Sequence, residues 1–163
     1  MLMQFIDNGR PSVAAAAVRA IATLDREGRE AWFVHLLSDA RPGVANAAAG
    51  ALMACGPAAP VDQLRLIYRE GPHAHSRRLA LRALLRRHPY DAVVDAIHAS
   101  VGSELALSNV GSEYIEQIVQ GRVSYGPSET QKRAVVSAIV GSSPPLPDEL
   151  CQRVRDFMGV LIP

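Results

Sequence analysis

Apolar residues recur along this chain at helical spacing, and the pattern itself is repeated. Trp32, Phe33, Leu36 and Leu37 fall at i, i+1, i+4 and i+5, which predicts a helix of about 10 residues with one apolar stripe. Asp39 to Pro42 breaks it, proline being tolerated in the first turn of the helix that follows. That second helix carries Val44, Ala47, Ala48, Ala51 and Leu52 on one face, and Gly56-Pro57 is expected to end it. The plan then recurs. Val61, Leu64, Ile67 and Tyr68 make a first stripe, Gly71-Pro72 a turn, and Leu79, Ala80, Ala83 and Leu84 a second stripe that stops near His88-Pro89. A further first helix is expected from Asp91, with Val93, Val94, Ile97 and Val101 pointing inward.

The residues repeat as well as the pattern. Arg10-Pro11-Ser12-Val13-Ala14-Ala15-Ala16-Ala17 returns 31 positions later as Arg41-Pro42-Gly43-Val44-Ala45-Asn46-Ala47-Ala48. A looser copy follows 32 residues on, where Ala80, Ala83 and Leu84 echo Ala48, Ala51 and Leu52. A period of this length marks stacked helix pairs, each with an apolar side that only its neighbours can bury. The 25 alanines suit such a stack, because alanine favours helix and lets helices approach closely.

Regularity fails after Ser103. The stretch from Gly102 to Pro127 holds glycines at 102, 111, 121 and 126 and one stripe, Tyr114, Ile115, Ile118 and Val119. Beyond the loop from Gly121 to Pro127, Ser128 with Gln131 has the spacing of a capping box and opens a helix through Val135, Ala138 and Ile139 to Gly141. After Ser142-Ser143-Pro144-Pro145, a last helix carries Leu150, Val154, Phe157, Met158 and Leu161. The expected fold is all-α, an α-solenoid of antiparallel helix pairs. Residues 1–101 form about three repeats, the first truncated, and 102–163 an irregular helical section that caps the array. At the front, Leu2, Phe5 and Ile6 share a face, but Met1 to Asp7 is too short for a complete first helix. The reading is a fragment of a longer array, or an apolar edge covered by a partner.

The segments Asp7 to Leu24 and Asp39 to Gly56, with Arg77 to Leu85 as a weaker third, resemble HEAT-like repeats, specifically the bacterial subset shared with phycobilisome lyases. Each of the first two has an Asp, a proline-containing turn, a valine, an alanine-rich helix and a hydrophobic end. Many such repeats carry an arginine following the valine, in places that Ala14 and Asn46 occupy here. The resemblance implies a scaffold whose second helices line a concave face. It implies no catalytic residue and no bilin-binding motif.

Composition sets further bounds. The chain is 48% apolar and 20% charged, as a folded domain is, and its net charge of +1 gives no global pull toward nucleic acid or anionic membrane. It shows neither a signal-peptide pattern nor an apolar run of membrane-spanning length, so a cytoplasmic location is expected. Sixteen arginines against one lysine point to a GC-rich, bacterial source.

Charge is nonetheless uneven. Residues 1–60 carry five basic and five acidic side chains, 61–90 seven and two, and 91–163 five and nine. The excess comprises Arg65, Arg69, Arg77, Arg78, Arg82, Arg86 and Arg87, of which Arg78, Arg82 and Arg86 recur every four residues as a ridge on one helix. Two readings stand. One is an electrostatic site for an acidic protein segment or a phosphate backbone, the other a solvated face whose arginine stems cover alanine. The candidate partner-binding residues are Arg77, Arg78, Arg82, Arg86 and Tyr68, with Trp32 either core or anchor. A protein partner is preferred, because a nucleic-acid binder such as the HEAT-like DNA glycosylases would spread its basic excess over several repeats.

The remaining candidates carry little chemistry. His73 and His75 sit in a turn without a third ligand, and zinc needs three or four. His35 and His98 lie beside apolar stripes and are expected to be partly buried. Glu113 with Glu116, and Asp91 with Asp95, read as outward solubilising faces, and Cys55 and Cys151 as small buried hydrophobes. No phosphate loop, hydrolase elbow or histidine–glutamate pair of the iron-binding HEAT-like hydroxylases occurs. The expectation is a protein without catalysis, metal or cofactor; the alternatives are a nucleic-acid-binding module and an accessory subunit of a lyase-like enzyme.

Overall fold

A computed structural model describes residues 2–7, 10–24, 28–55, 60–118 and 126–160. They form helices only: α1 (Leu2–Ile6), α2 (Pro11–Leu24), α3 (Glu30–Leu36), α4 (Pro42–Ala54), α5 (Val61–Glu70), α6 (Ala74–Leu84), α7 (Pro89–Ser100), α8 (Leu105–Ile118), α9 (Glu129–Val140) and α10 (Asp148–Met158). The expected features at Met1, Gly56-Pro57, Val119, Gly121 and Leu161, and the side chain of Leu2, lie outside the described residues. The chain divides into two compact units, Met1–Arg86 and Arg87–Pro163. Helix α7, which the repeat pattern groups with residues 1–101, belongs to the second unit, where it packs on α8 and α9.

In the first unit α1 pairs with α2, α3 with α4 and α5 with α6, while the second helices pack on one another in the row α2, α4, α6. The sequence period becomes a structural one here, because the three row helices begin at Pro11, Pro42 and Ala74. Small side chains make the row close: Ala14, Ala45, Ala48 and Ala80 are fully buried, between larger core residues such as Val18, Phe33, Leu52, Leu64 and Leu84.

Polar ties link the pairs at one end of the row. The Arg41 guanidinium grips both carboxylate oxygens of Asp39, at 2.9 and 2.7 Å, and donates a third bond to the carbonyl of Ile6 at 3.0 Å. The backbone N–H of Arg41 also donates to Asp39, at 2.8 Å, and holds the chain in the turn before α4. The Asp39 carbonyl in turn meets His75 Nε2 at 3.1 Å, in the first turn of α6. One turn therefore connects the end of α1 with the start of α6. The hydrogen bonds from Arg41 hold the Asp39 carboxyl below its ordinary range, and the same pairing raises Arg41.

In the second unit α8 packs on α7 and comes close to its backbone at Gly111. A Cβ on Gly111 would lie 2.6 Å from the Ala96 carbonyl oxygen, 2.8 Å from the Ser100 nitrogen and 2.9 Å from Ala99 Cβ. Ser108 Oγ donates to the Ser100 carbonyl at 2.7 Å across the same interface. The helical stripe expected at Tyr114, Ile115 and Ile118 is present, but it is the last part of a 14-residue helix that already starts at Leu105. The glycine that looked like an interruption is its closest contact. Helix α10 packs on α8, and the Tyr90 and Phe157 rings meet at 5.0 Å between centroids. Ser128 and Gln131 do form the capping box of α9.

Three polar expectations are corrected. Asp95 does not face outward: it is 2% exposed and ion-paired with Arg87, which supplies the countercharge a buried carboxylate requires. His35 and His98 are exposed rather than partly buried, because each stands on the solvent side of its helix beside the buried stripe.

Candidate partner-binding face

Helix α6 owes its position to the turn before it. The Gly71 N–H closes α5 on the Ile67 carbonyl at 2.9 Å, and a Cβ there would lie 2.4 Å from that same oxygen, so only glycine fits. Pro72 then prevents the helix from continuing. Arg77 folds back and donates to the Gly71 carbonyl at 2.8 Å, pinning α6 to the turn it leaves.

Helix α6 buries Ser76, Leu79, Ala80, Leu81 and Leu84. Arg78 and Arg82 occupy the opposite side and Arg86 lies in the turn that follows, and all three are exposed. Four helical residues rise about 6 Å, so Arg78 and Arg82 stand about 6 Å apart along α6, and Arg86 follows in the turn just beyond the helix end. Their side chains make no hydrogen bond or ion pair among the described residues. Of the other candidates, Arg77 is half-buried on Gly71, and Tyr68 and Trp32 are half-buried against the hydrophobic core, Trp32 tilted against Phe33 at 5.1 Å. The structure thus brings three of the five sequence candidates into one exposed row and commits Arg77 and Tyr68 to packing. Arg87 leaves the basic excess too, through its pair with Asp95.

Sequence reasoning missed what lies beside the row. Offsets of 32 and 31 residues relate Arg82 to Gly50 on α4 and to Arg19 on α2, and all three are exposed. Asn46 and Ala54, the counterparts of Arg78 and Arg86, are exposed as well, as is Met53. The repeat alignment already contained this signal, in the positions where the copies differ.

Elsewhere the chemistry is sparse. The His73 and His75 rings stack at 5.2 Å with planes 4° apart, and His75 is engaged by Asp39. Among the described residues no group of three or more His, Cys, Asp or Glu is placed to hold a metal. Cys55 is half-buried, its Sγ donating to the Ala51 carbonyl at 3.2 Å, and Cys151 is also half-buried. Glu113 and Glu116 are exposed. Burial raises the Tyr114 hydroxyl to about 12, against a smaller opposing pull from Arg87. A shallow depression of about 600 Å³ in the second unit is lined by Lys132, Arg133, Val136, Val140 and Val160, with Lys132 paired to Glu129.

The family model of HEAT repeats matches residues 1–85, a span that holds all three helix pairs of the first unit. The chain belongs to the HEAT repeat family. The matching model is that of HEAT repeats as such, and it does not single out the phycobilisome-lyase subset. No curated protein and no solved structure matches the chain. The second helices of this HEAT array are the ones that form the continuous row and carry the arginines. Among the described residues no helix is long and apolar enough to cross a membrane.

Proposed function

We propose that this HEAT repeat protein is a non-catalytic cytoplasmic scaffold or adaptor that binds an acidic segment of another protein on the exposed face of its second helices. The observation that carries the reading is the uncompensated row Arg78, Arg82 and Arg86. Like charges four residues apart destabilise a helix by about 0.2–0.5 kcal/mol per pair, and α6 holds one such pair, Arg78 and Arg82, with Arg86 just beyond its end. Carboxylates supplied by a partner convert that repulsion into attraction. HEAT repeats commonly serve as protein-interaction scaffolds, which fits. The absence of catalysis is part of the proposal: Glu113 and Glu116 are exposed, and Asp95 is ion-paired with Arg87.

A pull-down from the source cell, comparing the parent with an Arg78→Glu/Arg82→Glu variant, tests the reading. The charge-reversed protein loses the captured partner while its helical circular dichroism is unchanged. Equal capture by both proteins refutes the role of the row. A gel shift with duplex DNA that weakens steeply with added salt would instead support a nucleic-acid partner.

A further inference from the structure

Gly50 stands in the middle of α4, where glycine is less favourable than alanine. At Gly111 and Gly71 the fold itself forbids a Cβ, but at Gly50 a Cβ would meet nothing within 4 Å. The packing of the first unit therefore gives no reason for glycine at this position. A reason exists outside it. Gly50 is exposed between Arg19 on α2 and Arg82 on α6, at equivalent positions of consecutive repeats.

From this we infer that the acidic partner segment is an α-helix that docks lengthwise over α4, its backbone close to Gly50 and its carboxylates between Arg19 on one flank and Arg78, Arg82 and Arg86 on the other. The inference rests on the function proposed above and specifies the partner's shape. Packed helices lie about 8–10 Å apart, so the axes of α2 and α6 are separated by roughly twice that, and a helix about 10 Å across fits between their side chains. The floor under it is small or adaptable: Asn46, Gly50 and Ala54 are short, and Met53, 44% exposed, offers a flexible apolar contact. The opposite wall has the spacing a helix presents, since glutamates at i and i+4 repeat at the same interval of about 6 Å as Arg78 and Arg82, with Arg86 exposed just beyond them. Nucleic acid fits less well, because the floor between the two basic walls is uncharged and partly apolar rather than lined with further cations.

The test uses a capped peptide of about 20 residues with glutamates at every fourth position on one stripe and leucine and alanine beside it. Its binding to the full chain is followed by fluorescence anisotropy at low salt. Two control peptides have the same composition with the glutamates scattered, or a central proline that breaks the helix. The expected result is that the helical peptide binds, and that each control binds roughly tenfold more weakly or worse. Gly50→Trp and, as a second blocking variant, Asn46→Trp abolish binding with unchanged circular dichroism. Gly50→Ala raises the Tm yet weakens binding, a split that a purely structural role would not produce. If Arg78→Glu/Arg82→Glu abolishes binding while both tryptophan variants and the proline peptide bind normally, the acidic-segment reading stands and the helical docking is overturned. If no acidic peptide binds at any salt concentration, both fall. If duplex DNA binds and displaces the peptide, the class of partner is overturned.

Discussion

The close approach of α7 and α8 at Gly111 yields a sharp stability prediction. Replacing Gly111 by alanine brings two opposing effects, and the structure decides between them. Alanine in the middle of α8 favours helix by about 1 kcal/mol, and on a solvent-facing position that gain would prevail. At Gly111 the new methyl would sit 2.6 Å from the Ala96 carbonyl oxygen and 2.8 Å from the Ser100 nitrogen, both backbone atoms of α7 that no rotamer change can move. Relief requires α7 and α8 to separate by about 0.8 Å, and a gap of 0.5–1 Å forfeits a quarter to a half of the dispersion energy of the contacts involved. The 2.7 Å bond from Ser108 to the Ser100 carbonyl spans the same interface and would stretch to the limit of a hydrogen bond, a loss of about 1 kcal/mol. Overpacking of this kind costs about 1–3 kcal/mol, so with the hydrogen bond lost and the helix gain returned the net destabilisation is about 1–3 kcal/mol. Urea denaturation followed by far-UV circular dichroism measures it; 2 kcal/mol corresponds to a midpoint about 1 M lower. Gly50→Ala is the internal control, since the same substitution there meets open space and should stabilise. A Gly111→Ala protein as stable as the parent, or more so, would refute the close-packing argument.

Four further outcomes can be measured. Asp95→Ala removes the ion pair of the largely buried Arg87 guanidinium and should destabilise by about 3–5 kcal/mol, whereas the double variant Asp95→Leu/Arg87→Met should recover much of the loss in the same denaturation assay. Ser76 is fully buried at the position of Val44 in the previous repeat, and its hydroxyl finds no hydrogen-bond partner, so Ser76→Ala should leave thermal stability unchanged or raise it by up to about 1 kcal/mol. Asp39 has a lowered pKa in the fold, so its ion pair contributes fully above the ordinary carboxylate range and is lost as pH falls through the folded value; Arg41→Ala should flatten that acid limb of the stability curve. Tyr114 is raised to about 12, so the unfolded chain ionises first and stability should fall between about pH 10 and 12, a slope that Tyr114→Phe reduces in alkaline melts.

The helix pairs of the first unit were legible because each second helix repeats one pattern of alanine and larger apolar residues, and a stripe of that spacing has only one way to be buried. The Gly71-Pro72 turn and the Ser128–Gln131 cap were legible for a related reason, since their effects are local and act within a few residues. The first part of helix α8, before the stripe at Tyr114, Ile115 and Ile118, was missed because the same residue type serves opposite ends. A glycine interrupts a helix pattern when viewed alone, and Gly111 becomes the closest contact only when α7 lies against it. Asp95 was misread likewise, since Asp91 and Asp95 lie one turn apart and their spacing cannot show that Arg87 covers the second.

The sequence by itself determined the class of fold, the period of about 31 residues and the row of arginines, because helical spacing and repetition are properties of the chain order. The tertiary structure decided which of those arginines are available. Arg77 is held by the Gly71 carbonyl and Arg87 by Asp95, while Arg78, Arg82 and Arg86 stay exposed beside Gly50. A charge is spent or spare according to its neighbours in space, and spatial neighbours exist only once the helices have packed.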